Sequence, residues 1–180
     1  VNSDIQTVEV ERRARRIKLL LMDCDGVLTD GRLELLENGD EQKTFHARDG
    51  QGISLFHRAG LKTGIISGRT SSAVERRAQD LEMAYVRQYA KDKVKALEEI
   101  LALAHVTLHE CAFIGDDLAD IPVMDRVELA FAVADAAAET KHAAHFVTEQ
   151  KGGHGAVREV TDLILKAQGR WEELMKRYLG

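Results

Sequence analysis

Short apolar runs rich in Ile, Val, Leu and Phe recur along the chain at residues 17–22, 62–66, 84–86, 111–114, 129–133 and 145–147. Each is too short for a buried helix and has the β-branched and aromatic bias of a strand. Between them, residues 49–59, 71–80, 91–104, 117–125 and 136–141 carry helical spacing. The segment 91–104 is the clearest, because Val94, Leu97, Ile100, Leu101 and Ala104 recur at steps of three and four and make one apolar stripe. Strands alternating with helices predict an α/β fold, a mainly parallel sheet covered by helices on both faces. One stretch breaks the alternation. Residues 32–37 and 41–46 flank Asn38-Gly39-Asp40, and Asn-Gly between two strand-like runs predicts a β-hairpin where the first crossover helix should begin. With Leu33, Leu35 and Phe45 it has apolar surface to bury, and an isolated hairpin is marginal in water. It is therefore expected to be a flap that packs on another subunit or on its own domain. No internal repeat or proline-rich linker interrupts the pattern, and 180 residues suit a single domain over 1–180.

Charge narrows the function. The formal net charge is -5 with both signs interspersed, so no broad basic surface is present to bind nucleic acid. The one basic concentration, Arg12, Arg13, Arg15 and Arg16, lies beside Glu9 and Glu11 and reads as a solvated helix face. Cys24 and Cys111 sit inside strand-like runs and read as buried thiols, which fits a reducing compartment. No apolar run approaches the roughly 20 residues that span a bilayer, so a soluble cytoplasmic protein without membrane partners is expected.

Chemistry gathers where the strands end, the edge at which open α/β sheets bind ligands. The first strand ends in Asp23 and Asp25, the second in Ser67, Gly68 and Arg69, the fourth in Gly115, Asp116 and Asp117; Lys91 and Lys93 head the helix after the third. Clustered carboxylates repel and resist desolvation unless a cation holds them. An oxygen-only ligand set with substrate phosphate suits Mg2+. A calcium loop starting at Asp23 fails, since Leu28 occupies the position that needs glycine. Asp23-x-Asp25 instead offers one carboxylate to attack phosphorus and a second to move a proton. Ser67 and Gly68 could hold phosphate, Lys93 neutralise it and Asp116 complete the metal site.

These residues resemble the four motifs of the haloacid dehalogenase-like phosphatases, in "DCDGVLTD", "IISGR", a lysine and "GDDLAD". "DGVLTDG", "FHARDG", "SGRTS", "GDDLADIPVM" and "GGHGAVREV" together resemble the capless 3-deoxy-D-manno-octulosonate 8-phosphate (KDO 8-phosphate) phosphatase family over most of the chain. The resemblance implies a Rossmann-like parallel sheet with a hairpin flap at about 32–46, a tail at about 150–180 and no cap domain. It implies Asp23 as the nucleophile and Asp25 as the acid/base. Asp23, the Asp25 backbone carbonyl and Asp116 would bind Mg2+, with Asp117 and Asp120 in support. Ser67, Gly68 and Lys93 would bind phosphate. Arg48, Arg69 and Arg158 are candidate partners for an acid-sugar carboxylate, with surface ion pairs as the equal alternative. A homotetramer joined through the hairpin is also implied. Helix capping competes as the role of Asp117 and Asp120. Cys24, His46 and His57 read as structural. Three other functions compete with KDO 8-phosphate hydrolysis: hydrolysis of a nine-carbon analogue, a noncatalytic oligomerisation module like that of some sialic acid cytidylyltransferases, and a phospho-accepting receiver domain.

Overall fold

The computed structural model describes residues 2–179, with side chains from residue 7 onward. Six strands form one sheet: β1 (Leu19–Met22), β4 (Lys62–Ile66), β5 (Tyr85–Arg87), β6 (Cys111–Gly115), β7 (Leu129–Ala132) and β8 (Phe146–Val147). They lie in the order β5-β4-β1-β6-β7-β8, and every pair is parallel. Two further strands, β2 (Glu34–Leu35) and β3 (Glu41–Gln42), form a separate antiparallel hairpin. The helices are α1 (Asn2–Ala14), α2 (Ala47–Arg58), α3 (Ser72–Asp80), α4 (Lys93–Ala104), α5 (Ile121–Met124), α6 (Ala138–Ala143), α7 (Ala156–Ala167) and α8 (Trp171–Leu179). α1, α2 and α7 pack together on one face of the sheet, and α4, α5 and α6 cover the other. This is the α/β architecture that the alternation predicts, without a cap domain.

β1 is central and covered on both faces. Leu19, Leu20, Leu21 and Met22 are all fully buried, which explains an unbroken apolar run in place of a period of two. Phe56 of α2 and Phe113 and Phe131 of the sheet are the largest fully buried side chains.

Some predicted boundaries change for identifiable reasons. The hairpin ladder is only two residues long on each side, Glu34 opposite Gln42 and Leu35 opposite Glu41, where strands over 32–37 and 41–46 are expected. Its turn follows the Asn-Gly prediction, with Gly39 at φ +87° and Asn38 Oδ1 accepting from the Asp40 N–H at 3.1 Å. Beyond Gln42 the chain is drawn toward the body: Lys43 pairs with Asp25, and Phe45 packs on the core below the Arg77 guanidinium. Those tertiary contacts replace further ladder bonds.

The expected helix over 117–125 divides into a 3-10 turn at Leu118–Asp120 and a short α5. Pro122 lies in the first turn of α5, where its ring is tolerated but cannot continue a preceding helix. α4 starts at Lys93 instead of Lys91, because Asp92 caps it by accepting from the Lys95 N–H at 3.0 Å.

The basic stretch is only partly a solvated face. Arg13 donates to the Glu128 carbonyl at 2.7 Å, and Arg16 lies 3.2 Å from the buried Glu128 carboxylate. Those contacts fasten the end of α1 beside β7.

Candidate active site

β1 ends where its ladder carries one residue further, with the Asp23 N–H donating to the Ile114 carbonyl at 3.1 Å. The chain then turns sharply, and the Cys24 carbonyl accepts from the N–H groups of Val27, Leu28 and Thr29. Gly26 has φ +89°, and a Cβ there would lie 2.1 Å from Asp116 Oδ2. Glycine is thus required twice over, for the backbone conformation and for the approach of Asp116 to the first loop. A pair of glycines from later in the chain closes on the same loop. The Gly153 N–H donates to the Val27 carbonyl at 2.9 Å, and a Cβ on Gly152 would sit 1.8 Å from the Gly26 carbonyl oxygen.

β6 delivers Asp116 from the neighbouring strand. Asp120, 1 % exposed, folds back so that its Oδ2 accepts from the N–H groups of Asp116 at 3.0 Å and Asp117 at 3.3 Å. Its other oxygen accepts from Lys93 Nζ at 2.7 Å, and the same ammonium lies 3.1 Å from Asp23 Oδ1. Burial alone would push Lys93 down; the Asp23 and Asp120 charges outweigh it and hold the ammonium protonated. Lys91, by contrast, stacks over Tyr89 at 4.9 Å, away from this pair.

The remaining predicted residues divide by location. Ser67 is buried at the end of β4, its Oγ accepting from the Arg69 N–H at 3.3 Å, and Gly68 is exposed with open space about it. Their loop is joined to the segment before α4, since the Ala90 N–H donates to the Ser67 carbonyl at 2.9 Å. Asp117 is exposed and caps the 3-10 turn, accepting from the Leu118 N–H at 2.8 Å. Arg69 lies 3.8 Å from Asp25 and pairs with Glu41. Arg48 and Arg158 line, with His154, an open groove of about 430 Å3 to which Arg69 does not contribute. Arg158 is already engaged: its Nε donates to Asp162 at 2.7 Å and its guanidinium lies over Trp171. The Cys24 thiol is held neutral by burial and by the Asp25 charge, as a packing residue requires.

Lys43 and Glu41 escape the sequence reading. Lys43 contributes a side chain only 2 % exposed that hydrogen-bonds Asp25 and lies 3.2 Å from Glu41. No local pattern marks it, because a lysine in a polar hairpin strand looks like any solvated edge residue.

Asp23, Asp116 and Asp120 each present an oxygen within 4.8 Å of the others. Asp25 is not in that group; its carboxylate faces Lys43 and Arg69. Burial, then the charge of Asp120, raise Asp23 to about 6 despite Lys93. Burial, then the charges of Asp23, Asp120 and Asp117, raise Asp116 to about 8. Asp116 Oδ1 is also buried without a hydrogen-bond partner. A hard divalent cation answers both features, by neutralising the carboxylates and by ligating the orphaned oxygen. The donor set fits Mg2+.

These shifts give the metal-free protein a definite pH dependence. Raised carboxyls mean that the folded chain holds protons the unfolded chain has lost, so stability falls as pH rises through the folded values. Metal-free protein is expected to melt a few degrees lower near pH 9 than near pH 7, a window set by Asp116 and above ordinary histidine titration. Saturating Mg2+ should raise the melting temperature and shrink the difference. Differential scanning fluorimetry with and without chelator reads both, and a melting temperature that rises across that window without metal would contradict the assignment.

Comparison with known proteins agrees with the geometry. A haloacid dehalogenase-like hydrolase family model matches residues 86–160. The 3-deoxy-D-manno-octulosonate 8-phosphate phosphatase of Yersinia pestis is 44% identical over 91% of this chain and 88% of its own. Its crystal structure superposes with a TM-score of 0.89, covering 91% of this chain and 89% of that one. A Moraxella catarrhalis enzyme of the same name, solved with magnesium ion, phosphate ion and KDO, gives a TM-score of 0.92 at 36% identity, covering 94% and 98%. With 44% identity over nearly its full length to such a relative, the chain belongs to the 3-deoxy-D-manno-octulosonate 8-phosphate phosphatase family of haloacid dehalogenase-like hydrolases.

Proposed function

We propose that this protein is a Mg2+-dependent phosphatase that hydrolyses 3-deoxy-D-manno-octulosonate 8-phosphate to KDO and phosphate. The observation that carries the reading is the placement of Asp23 beside both Lys93 and the Asp116–Asp120 carboxylates, in a chain 36% identical to a relative solved with magnesium, phosphate and KDO.

Asp23, Asp116 and the Asp25 carbonyl would hold Mg2+, which supplies positive charge to the carboxylates and to the phosphoryl oxygens. Asp23 attacks phosphorus as the bond to the sugar oxygen breaks, and Asp25 gives that oxygen its proton. The aspartyl phosphate on Asp23 is then cleaved by water, whose proton Asp25 takes back. Asp23 is regenerated as a carboxylate, and phosphate leaves. Ser67, Gly68 and Lys93 hold the phosphoryl oxygens, with the ammonium offsetting charge in a dry site. Asp120 positions Lys93 and caps the backbone behind Asp116. Of the three candidate arginines, Arg69 is proposed to meet the sugar carboxylate, since Arg158 is held by Asp162 and Trp171 and Arg48 lines the same groove as Arg158. Arg69 is the one beside Asp25.

The same proposal takes the chain as one catalytic domain that works as a homotetramer in the cytoplasm. Leu33, Leu35 and Leu36 on the hairpin are 48%, 72% and 46% exposed, apolar surface suited to a neighbouring subunit. Both cysteines are free and buried, as a reducing compartment permits. No helix among the described residues is long and apolar enough to cross a membrane.

The test is phosphate release from KDO 8-phosphate, nine-carbon acid-sugar phosphates and simple sugar phosphates, each with Mg2+ and with chelator. KDO 8-phosphate is expected to lead in kcat/KM by at least about tenfold, a difference of roughly 1.4 kcal/mol in transition-state binding. Chelator is expected to stop turnover. A higher kcat/KM on a nine-carbon substrate would reassign the substrate, and uniformly slow release would remove the catalytic reading.

A further inference from the structure

The hairpin, expected to pack on another subunit or on its own domain, sends one buried cation back into its own site. Lys43 follows β3, and its ammonium hydrogen-bonds Asp25 Oδ1 while Arg69 approaches Asp25 Oδ2 at 3.8 Å. Glu41, on the same hairpin, lies 3.2 Å from Lys43 and also pairs with Arg69. Two acids and two bases from three separate segments thus form one closed set around the Asp25 carboxylate. Both Asp25 oxygens face cations, and neither joins the group formed by the Asp23, Asp116 and Asp120 oxygens. A carboxylate only two residues from the nucleophile would otherwise be free to turn into that group, where a cation would capture it and end its use as a proton carrier.

We propose that Lys43 is a positioning residue, which fixes the Asp25 carboxylate on the leaving-group side of the nucleophile and makes the hairpin part of the catalytic apparatus of its own chain. The inference rests on the phosphatase reading, with Asp23 as nucleophile and Asp25 as acid/base. Asp25 acts twice: it protonates the departing sugar oxygen, and it takes the proton of the water that cleaves the aspartyl phosphate. Misplacing it slows both steps for a sugar phosphate. For 4-nitrophenyl phosphate the first step is spared, because nitrophenolate departs without a proton, whereas cleavage of the aspartyl phosphate is slowed as before.

Lys43→Met, which keeps the length and loses the charge, separates this role from a merely structural one. With a sugar phosphate, kcat should fall by about 10²-fold, the lower end of acid–base contributions, with KM changed less than about threefold. With 4-nitrophenyl phosphate, stopped flow should show a burst of nitrophenolate approaching one equivalent per site, larger than in wild type, as aspartyl phosphate accumulates. Lys43→Arg, which restores a cation, should recover most of the sugar phosphate rate. Should Lys43→Met fail to fold, Lys43→Gln supplies the same comparison. Equal losses on both substrates without a burst, an effect confined to KM, or an unchanged kcat would each overturn the proposal. Failure of the underlying reading looks different, since wild-type protein would then release no phosphate or Asp23→Asn would retain turnover.

Discussion

Asp23→Asn is expected to lower phosphate release by roughly 10⁴-fold or more, the scale on which loss of a covalent nucleophile acts. The amide is almost the same size as the carboxylate, so packing at the end of β1 is retained. It cannot form the acyl phosphate. The substitution also removes one of the charges that press on Asp116. Metal-free Asp23→Asn should therefore melt no lower than wild type, and slightly higher is the expected sign. Mg2+ should stabilise it less, because one ligand has lost its charge. The combination of an intact fold and absent turnover is the signature. Turnover within tenfold of wild type would mean that another group attacks phosphorus.

Lys93→Met carries the second large effect, and here stability and catalysis fall together for different reasons. Asp120 is 1 % exposed, and Lys93 is the cation that compensates it. Removing one partner of a buried ion pair typically costs about 3–5 kcal/mol, since the other charge is left unpaired. Turnover is expected to fall by about 10²–10³-fold through loss of phosphoryl neutralisation. A second substitution separates the two losses. Lys93→Met with Asp120→Asn removes the orphaned charge, so much of the melting temperature should return while turnover stays low. Recovery of both together would show that Lys93 serves only to hold the fold, and recovery of neither would place the cost elsewhere in the site.

What was legible in the sequence follows from how local each signal is. The apolar runs marked all six strands of the sheet, most plainly β1, β6 and β7, which are buried along their whole length and so leave an unbroken apolar word. The edge strands β5 and β8 are only partly buried and show as shorter runs. The Asp23-x-Asp25 pair stood out because a strand exit is an odd place for two acids. Lys93 could be preferred over Lys91 by motif, and the fold buries the first and stacks the second over Tyr89. Contacts that depend on where a loop swings were not legible. Lys43 reaches Asp25 only because the hairpin bends inward after two ladder pairs. Arg158 satisfies the charge expected of a carboxylate partner, yet Asp162 and Trp171 already occupy it, one from the next turn and one from the start of α8. Arg13 and Arg16 looked solvated because Glu128 lies more than a hundred residues away.

The central position of β1 has a consequence for how the molecule comes into being. Leu19 pairs with Lys62 on one side and with Cys111 on the other, so the strand that leads into Asp23 is flanked only by segments made much later. A chain leaving the ribosome already displays Asp23 and Asp25 while one or both neighbours of β1 are still unsynthesised. Until β6 and the residue after it are available, that strand has an open edge, four apolar side chains and no Asp116 carboxylate beside it. Long-range parallel pairing of this kind forms slowly, and the waiting species exposes the surface that drives aggregation. The hydrolytic centre is accordingly among the last parts of the molecule to be assembled, and a chain cut short before β6 would be an aggregation hazard instead of a weak enzyme.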